Sequence, residues 1–151
     1  MTTRIRRATL EDLDALAPLF DAYRRFYEQA PQPELARAFL QARLQRGESA
    51  IFLGTVDGEA AGFTQLYPTF SSVRAARVWV LNDLFVAPQA RRHGLARALL
   101  EAAADFARAD GAVRLELETT PDNHTAQALY RGAGWTPYEG TLRFRLALDE
   151  T

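Results

Sequence analysis

Residues 78–97, VWVLNDLFVAPQARRHGLAR, decide the fold of this chain. The first half is an apolar run of β-branched and aromatic residues, which is the composition of a buried strand. Pro88 ends that strand, because proline has no N–H to give to a β-ladder. A basic turn at residues 91–96 follows and leads directly into a helix. The apolar positions of that helix recur at helical spacing: Leu95, Ala98, Leu99, Ala102, Ala103 and Phe106.

The turn between strand and helix is suited to binding an anion. The first N–H groups of a helix have no intrahelical partner and lie at the positive end of the helix dipole. Gly94 and Ala96 leave room for an anion to approach the backbone. Arg91 and Arg92 add positive charge. The residues alone therefore predict an anion at a helix N-terminus, with a solvated basic turn as the alternative for the two arginines.

Composition predicts one globular domain over residues 1–151 with an ordinary hydrophobic content of 48%. The net charge of −1 gives no reason to expect a nucleic acid or an anionic membrane as partner. The chain has no cysteine, which excludes disulfides and thiol nucleophiles, and with only two histidines we expect no metal site. Neither a membrane-spanning run of about 20 apolar residues nor a signal-peptide core is found, so we expect a cytoplasmic protein.

The rest of the chain predicts a mixed α/β fold. Thr9 with Asp12 marks a helix start, Gly47 a helix end, and Asp57-Gly58 a tight hairpin turn. Residues 68–76 are interpreted as a polar loop. Strands are predicted at residues 3–8, 49–56, 60–67, 78–86 and 113–118, with a last hairpin at 135–138 and 141–148. Helices are predicted at residues 10–27, 34–46, 95–110 and 121–133. Hairpins together with crossover helices indicate an α/β sheet of mixed direction.

Three segments resemble one known family. Arg91-x-x-Gly94-x-Ala96 resembles the [Q/R]-x-x-G-x-[G/A] pyrophosphate loop of the GCN5-related N-acetyltransferases, the GNAT superfamily. LNDLFV at residues 81–86 is similar to the family's L-x-D-L-x-V strand. Residues 123–135 are similar to its N-x-x-A-x-x-[FL]-Y-x-[RK]-x-G-[FW] segment. Together the motifs span about 60 residues in the family's order. The chain is identified as a member of this family, locally most like the diamine, polyamine and histone-type acetyltransferases.

The resemblance implies a single-domain, mostly antiparallel mixed sheet, splayed between strands 4 and 5 and flanked by about four helices. Acetyl-CoA enters that gap, and its pantetheine pairs with the fourth strand. The implied cofactor-binding residues are Leu84, Phe85, Val86, Arg91, Arg92, His93, Gly94, Leu95, Ala96, Arg97, Asn123 and Tyr130. His93 would act through its backbone N–H. Asn123 is also suited to be a helix N-cap, and the two roles are compatible.

The resemblance also implies catalytic residues. Tyr130 aligns with a tyrosine that faces the CoA sulfur, where a phenol could protonate the thiolate; periodicity alone favours a core aromatic. Asn82 and Asp83 lie where the central strand often bulges. Polyamine acetyltransferases carry there, at the first position, a glutamate proposed to receive the amine's proton, a role that Asn82 cannot fill. Asp83 either binds the amine, orders a water or caps the bulge. Glu116 and Glu118 are alternative relays or part of a solvated face.

The acceptor is predicted to be a small-molecule or peptide amine, such as a polyamine, an amino acid or a lysine side chain. Aromatic residues expected at its site are Tyr23, Phe26, Tyr27 and Phe70, with core packing as the alternative. The predicted reaction is direct attack in a ternary complex, by a homodimer. The rival hypothesis is an acyl-CoA-binding regulatory domain that has lost turnover. A Rossmann-type binder is excluded, because G-x-G-x-x-G is absent after the first strand.

Overall fold

The computed structural model describes residues 1–149, so positions 150 and 151 of the predicted domain lie outside the described residues. The chain divides into two compact units, Met1–Thr119 and Thr120–Thr151. The single domain over residues 1–151 stays a prediction.

The first unit is a five-stranded sheet with three α-helices. In chain order its elements are β1 (Thr3–Arg7), α1 (Leu13–Phe26), α2 (Pro33–Arg46), β2 (Ala50–Val56), β3 (Glu59–Ser71), β4 (Ala76–Val86), α3 (Leu95–Ala109) and β5 (Arg114–Glu116). The strands lie in sequence order across the sheet. The first four pair antiparallel, and β5 pairs parallel to β4. The predicted mixed, mostly antiparallel α/β sheet is confirmed.

The sheet opens between β4 and β5, as predicted. Only Val78, Trp79 and Val80 of β4 pair with β5. Among the described residues 1–149, β3 is the only strand that pairs with residues 81–86 of β4. The edge of β4 that faces away from β3 is therefore free of β5 over its second half, which includes Leu84, Phe85 and Val86.

Helices cover both faces of this sheet. On one face α1 and α2 form a core with the strands, which includes Leu16, Phe20, Leu40, Ile51, Leu53, Phe63 and Phe85. On the other face the Phe106 ring of α3 packs against Phe52 and Trp79. Gly62 allows Leu95 of α3 to come close, because a Cβ there would lie 3.2 Å from the Leu95 side chain. The same Cβ would lie 2.7 Å from the Phe85 carbonyl of β4. The start of α3 is thereby held against the middle of the sheet.

Local turn and cap signals are confirmed. Thr9 and Asp12 form a capping box at a 3₁₀ turn that leads into α1. Gly47 ends α2 in the left-handed conformation, with φ of 62°. Asp57 and Gly58 both have positive φ, 51° and 85°, as a two-residue type I′ hairpin requires.

The loop predicted at residues 68–76 is too long, because only residues 72–75 form the turn between the two strands. β3 continues to Ser71 and β4 begins at Ala76, with Pro68 opposite Trp79 and Phe70 opposite Arg77. Beyond Leu66, β3 has lost β2 as a neighbour and keeps a partner strand on one side only. A proline is tolerated there, because one side of the strand needs no donor.

The second unit contains α4 (His124–Gly132). Asn123 caps it, since the Ala126 N–H donates to Asn123 Oδ1 at 3.1 Å. The predicted hairpin at 135–138 and 141–148 is wrong, because the described residues after α4 form no strand. Four alternate apolar side chains there are 83–92% exposed: Leu142, Phe144, Leu146 and Leu148. These side chains alternate as they would in a strand, but the described residues of this segment form no β-ladder.

No helix within residues 1–149 has the length and apolar character needed to cross a membrane. The cytoplasmic location stays a prediction.

Candidate active site

A β-bulge in β4 builds the candidate site. Asp83 lies opposite Gln65 and Leu81 lies opposite Leu66, so Asn82 is an extra residue on β4. The bulge changes which face alternate side chains reach. Trp79 contacts α3 on one face, whereas the Phe85 ring lies 6.2 Å from that of Tyr23 of α1. The bulge predicted at residues 82–83 is therefore present.

Asp83 is a buried carboxyl group held by neutral donors. Its side chain accepts hydrogen bonds from Gln65 Nε2 at 2.6 Å and from Asn82 Nδ2 at 2.8 Å. Gln65 in turn accepts a hydrogen bond from Ser49 Oγ at 2.8 Å. Asp83 is only 3% exposed, and burial raises its pKa above the ordinary carboxyl value. No ion pair joins Asp83 to any residue within 1–149.

A cavity of about 370 Å³ lies between α1, α2 and the bulge. Its lining residues are Phe20, Tyr23, Arg24, Leu35, Ala36, Phe39, Tyr67, Asn82 and Asp83. The Tyr23 hydroxyl donates to the Asn82 carbonyl at 3.3 Å. Burial, together with the charge of Asp83, raises the pKa of both Tyr23 and Tyr67. Both phenols thus remain protonated, and the cavity combines aromatic rings, two hydroxyl groups and one buried carboxyl.

The four aromatic residues predicted for the acceptor divide into two groups. Tyr23 lines the cavity. Phe26 and Tyr27, 61% and 56% exposed, extend an aromatic edge from it, with the Tyr23 and Tyr27 rings 5.1 Å apart. Phe70 does not line the cavity. It lies at the far end of β3, 68% exposed, with the Arg77 guanidinium 4.4 Å from its ring centre.

The turn before α3 has an open backbone. Gly94 is the N-cap of α3 with φ of 75°, and no side chain caps the helix. A Cβ on Gly94 would meet nothing within 4 Å, so the approach to the first N–H groups is unobstructed. Arg92 is exposed and has φ of 69°. Such exposed donors beside two arginines fit a diphosphate.

Arg91 also secures the turn. Its Nε donates to the Val86 carbonyl at 3.0 Å. Its guanidinium lies 5.9 Å from the ring centres of both Phe26 and Phe85. Arg91 therefore connects the end of β4 with the last turn of α1.

Tyr130 and Asn123 belong to the second unit. Tyr130 is half-buried on α4, and its ring centre lies 6.3 Å from that of Trp135. Asn123 uses its side-chain oxygen as the helix cap. Their roles toward acetyl-CoA stay predictions. In the first unit, Glu116 is exposed and pairs with Arg114, which agrees with a solvated face rather than a proton relay.

Several residues that line the cavity or support Asp83 were not predicted from the sequence. Ser49, Gln65 and Tyr67 hold or face Asp83, and Arg24 and Phe39 line the cavity. One signal was available, because Thr64-Gln65 is a polar pair inside an apolar strand, and both residues are fully buried. Buried polar side chains in a strand require partners. Arg24 carries no such signal, since arginine on an amphipathic helix usually faces water.

Comparison with known proteins places the chain in a family. The model of the Acetyltransferase (GNAT) family matches residues 16–135. The chain is 48% identical over 142 residues to YhfO, an uncharacterized N-acetyltransferase of Bacillus subtilis, covering 94% of this chain and 95% of that one. It is 31% identical over 122 residues to aminoglycoside N(6')-acetyltransferase type 1 of Klebsiella aerogenes, covering 80% of each. The crystal structure of a probable acetyltransferase is 45% identical and superimposes with a TM-score of 0.93, covering 98% of this chain and 99% of that one.

The chain belongs to the GNAT family of acetyltransferases, and it is an N-acetyltransferase. Enzymes of this family take the acetyl group from acetyl-CoA and act on small-molecule or peptide amines.

Proposed function

We propose that this protein transfers acetyl from acetyl-CoA to a primary amine by direct attack in a ternary complex. The observation that carries the proposal is Asp83, a buried carboxyl with hydrogen-bond donors but no cation, in the wall of a cavity. A buried carboxylate without a counter-ion is costly. The ammonium group of an amine supplies that counter-ion, and the rings of Tyr23, Phe39 and Tyr67 favour a cation next to them.

Acetyl-CoA binds, on this proposal, along the open half of β4 and at the start of α3. The backbone edge at residues 84–86 is not covered by β5 and offers hydrogen-bonding groups to the pantetheine amides, although the Val86 carbonyl already accepts a hydrogen bond from Arg91 Nε. The uncapped first turn of α3, with Gly94 as N-cap and Arg91 and Arg92 beside it, receives the diphosphate. The cosubstrate supplies a reactive thioester, so the protein has to align the amine and move protons.

Asp83 is proposed to take the proton from the bound ammonium group. A carboxyl with a raised pKa is a stronger base than an exposed one, and proton transfer is most efficient when acid and base are matched. The neutral nitrogen then forms a bond to the acetyl carbon while the carbon–sulfur bond breaks, and the nitrogen loses its second proton to solvent. Tyr130, by its position in the family motif, donates a proton to the leaving thiolate and regains one from solvent. Asn82 orients Asp83 through its Nδ2 hydrogen bond rather than acting as a base.

A homodimer is part of the proposal. Leu142, Phe144, Leu146 and Leu148 expose alternate apolar side chains on a segment without a pairing strand. Contiguous exposed apolar surface of this kind is typical of a protein–protein contact. A second copy of the chain is the proposed partner.

Thiol release from acetyl-CoA tests the proposed function. The panel contains polyamines, amino acids, aminoglycosides and lysine peptides, and we expect turnover with at least one class. Tyr130→Phe should slow turnover while acetyl-CoA still raises the melting temperature. An increase in melting temperature without thiol release from any amine would instead support an acyl-CoA-binding regulatory domain. Absence of acetyl-CoA binding would contradict both.

A further inference from the structure

Arg24 lies in the same cavity as Asp83. It comes from the last turn of α1 and is half-buried. Its Nη2 donates to Gln32 Oε1 at 3.2 Å. Its Nη1 is shielded from solvent and has no hydrogen-bond partner within residues 1–149.

This unpaired nitrogen distinguishes Arg24 from its neighbours on α1 and α2. Arg25 pairs with Asp21 at 3.5 Å, Arg37 with Asp14 at 2.5 Å and Arg43 with Glu48 at 3.1 Å. Arg24 has no ion pair among the described residues, although a buried donor left unpaired costs free energy. A cavity-lining guanidinium that no carboxylate neutralises is therefore suited to an anion that enters the cavity.

The cavity thus holds two opposite charges that do not neutralise each other. Arg24 and Asp83 line the same space, yet they are not within ion-pair distance. A molecule with a cationic and an anionic end satisfies both groups. A polyamine or an aminoglycoside carries only positive charge and would leave Arg24 unpaired next to a like charge. The volume of about 370 Å³ lies at the small end of ligand sites.

We propose that the acceptor is an amine that also carries a carboxylate, of the amino-acid type, and that Arg24 binds the carboxylate while Asp83 receives the ammonium group. This inference rests on the proposed function and selects among its acceptors. A guanidinium fork matches the two oxygens of a carboxylate, which gives directional recognition as well as charge.

Matched acceptor pairs test the inference. Each amino acid is compared with the amine that remains when its carboxylate is removed: lysine with cadaverine, ornithine with putrescine, and phenylalanine with phenethylamine. We expect kcat/KM for thiol release to be at least about 10-fold higher for the carboxylate-bearing member of a pair that turns over, since charge-assisted hydrogen bonds are worth that much. Arg24→Gln should remove this preference, and Arg24→Lys should restore part of it.

Arg25→Gln is the control, because Arg25 is adjacent on α1 but pairs with Asp21, and neither residue lines the cavity. It should leave the preference unchanged. Turnover with equal kcat/KM for both members of every pair, or an equal loss for both in Arg24→Gln, would overturn the inference and leave the proposed function standing. Absence of thiol release with every polyamine, amino acid, aminoglycoside and lysine peptide would overturn the proposed function and the inference together.

Discussion

Asp83 is a buried carboxyl group whose proposed function comes at the expense of stability. Its carboxyl lies 3% exposed among neutral donors, Gln65 and Asn82, instead of next to an arginine or lysine. Ionising the Asp83 carboxyl inside the fold is unfavourable, and its pKa is therefore raised. Such a group is expected at a functional site rather than in a purely structural core.

Asp83→Asn should lower kcat/KM by about 10²- to 10⁴-fold, because an amide can neither accept a proton nor neutralise an ammonium group. The measurement is thiol release with the best acceptor of the panel. Asp14→Asn is the matched control, since the Asp14 side chain is 87% exposed and pairs with Arg37 on the helix surface. A variant with wild-type kinetics at position 83 would contradict a catalytic or binding role for this carboxyl.

The same variant should change how stability depends on pH. Below the ordinary carboxyl pKa of 3.8, Asp83 is protonated in both the folded and the unfolded chain. As the pH rises from 3.8 to the raised folded pKa, the unfolded chain loses the proton while the folded one keeps it, so wild type loses stability. Above the raised pKa this loss is complete and constant. The Asn side chain of the Asp83→Asn variant cannot ionise, so the variant does not lose this stability as the pH rises.

Denaturant unfolding of wild type and Asp83→Asn across the acidic range measures this difference. We expect the free energy of unfolding of Asp83→Asn, relative to wild type, to increase with pH from about 3.8 and then to level off. The amide can be accommodated, because the Gln65 amide can reverse its orientation between position 83 and the Ser49 hydroxyl. A relative stability that decreases with pH would show that the folded protein favours the ionised carboxyl.

At the scale of elements, the junction of β4, its following turn and α3 brings together the residues that we propose to bind acetyl-CoA. Arg91 connects the turn to the Val86 carbonyl and to the ring of Phe26. Gly62 lets Leu95, at the start of α3, pack closely onto the sheet. The position of the uncapped helix start therefore depends on contacts from three other elements.

Gly94→Ala should weaken acetyl-CoA binding, because the new Cβ would project into the open approach to the first turn of α3. It should also cost about 1 kcal/mol of stability, since φ is 75°. Gly111→Ala is a close control near the other end of the same helix, with φ of 78° and nothing within 4 Å of its Cβ. Isothermal titration with acetyl-CoA should distinguish the two variants, whereas thermal unfolding should not. Equal acetyl-CoA affinity in both would contradict the diphosphate site.

At the scale of the whole molecule, the exposed apolar side chains after α4 are consistent with the proposed contact with a second copy of the chain. Leu142, Phe144, Leu146 and Leu148 alternate along the chain and are all exposed. Pairing with a strand of another copy would bury these side chains.

Phe144→Asp combined with Leu146→Asp should convert a dimer to a monomer, because charges cannot be buried unpaired in an apolar contact. Sedimentation at several protein concentrations measures this. Val73→Asp is the control, an apolar residue that is 97% exposed in the turn between β3 and β4. A wild-type chain that sediments as a monomer at all concentrations would contradict the dimer.

Interactions between residues close in the sequence were enough to predict much of the fold. The capping box at Thr9 and Asp12, the Asp57-Gly58 turn, the left-handed Gly47 and the Asn123 cap are all formed by neighbouring residues. Because such signals act within four residues, they can be read along the chain. Amphipathic periodicity likewise placed the helices.

The sequence by itself determined the helices, the tight turns, the order of the first five strands and, through three motifs, the GNAT family. Only the tertiary structure decided where strands end and which polar residues meet. The extra length of β3 and β4, and the absence of a last hairpin, depend on whether a neighbouring strand is available to complete hydrogen bonds. The cavity with Asp83 and Arg24 joins a bulge in β4 to a helix almost 60 residues earlier. No local sequence pattern predicts that Arg24 and Asp83 line the same cavity, because their proximity arises from the packing of α1 and α2 onto the sheet.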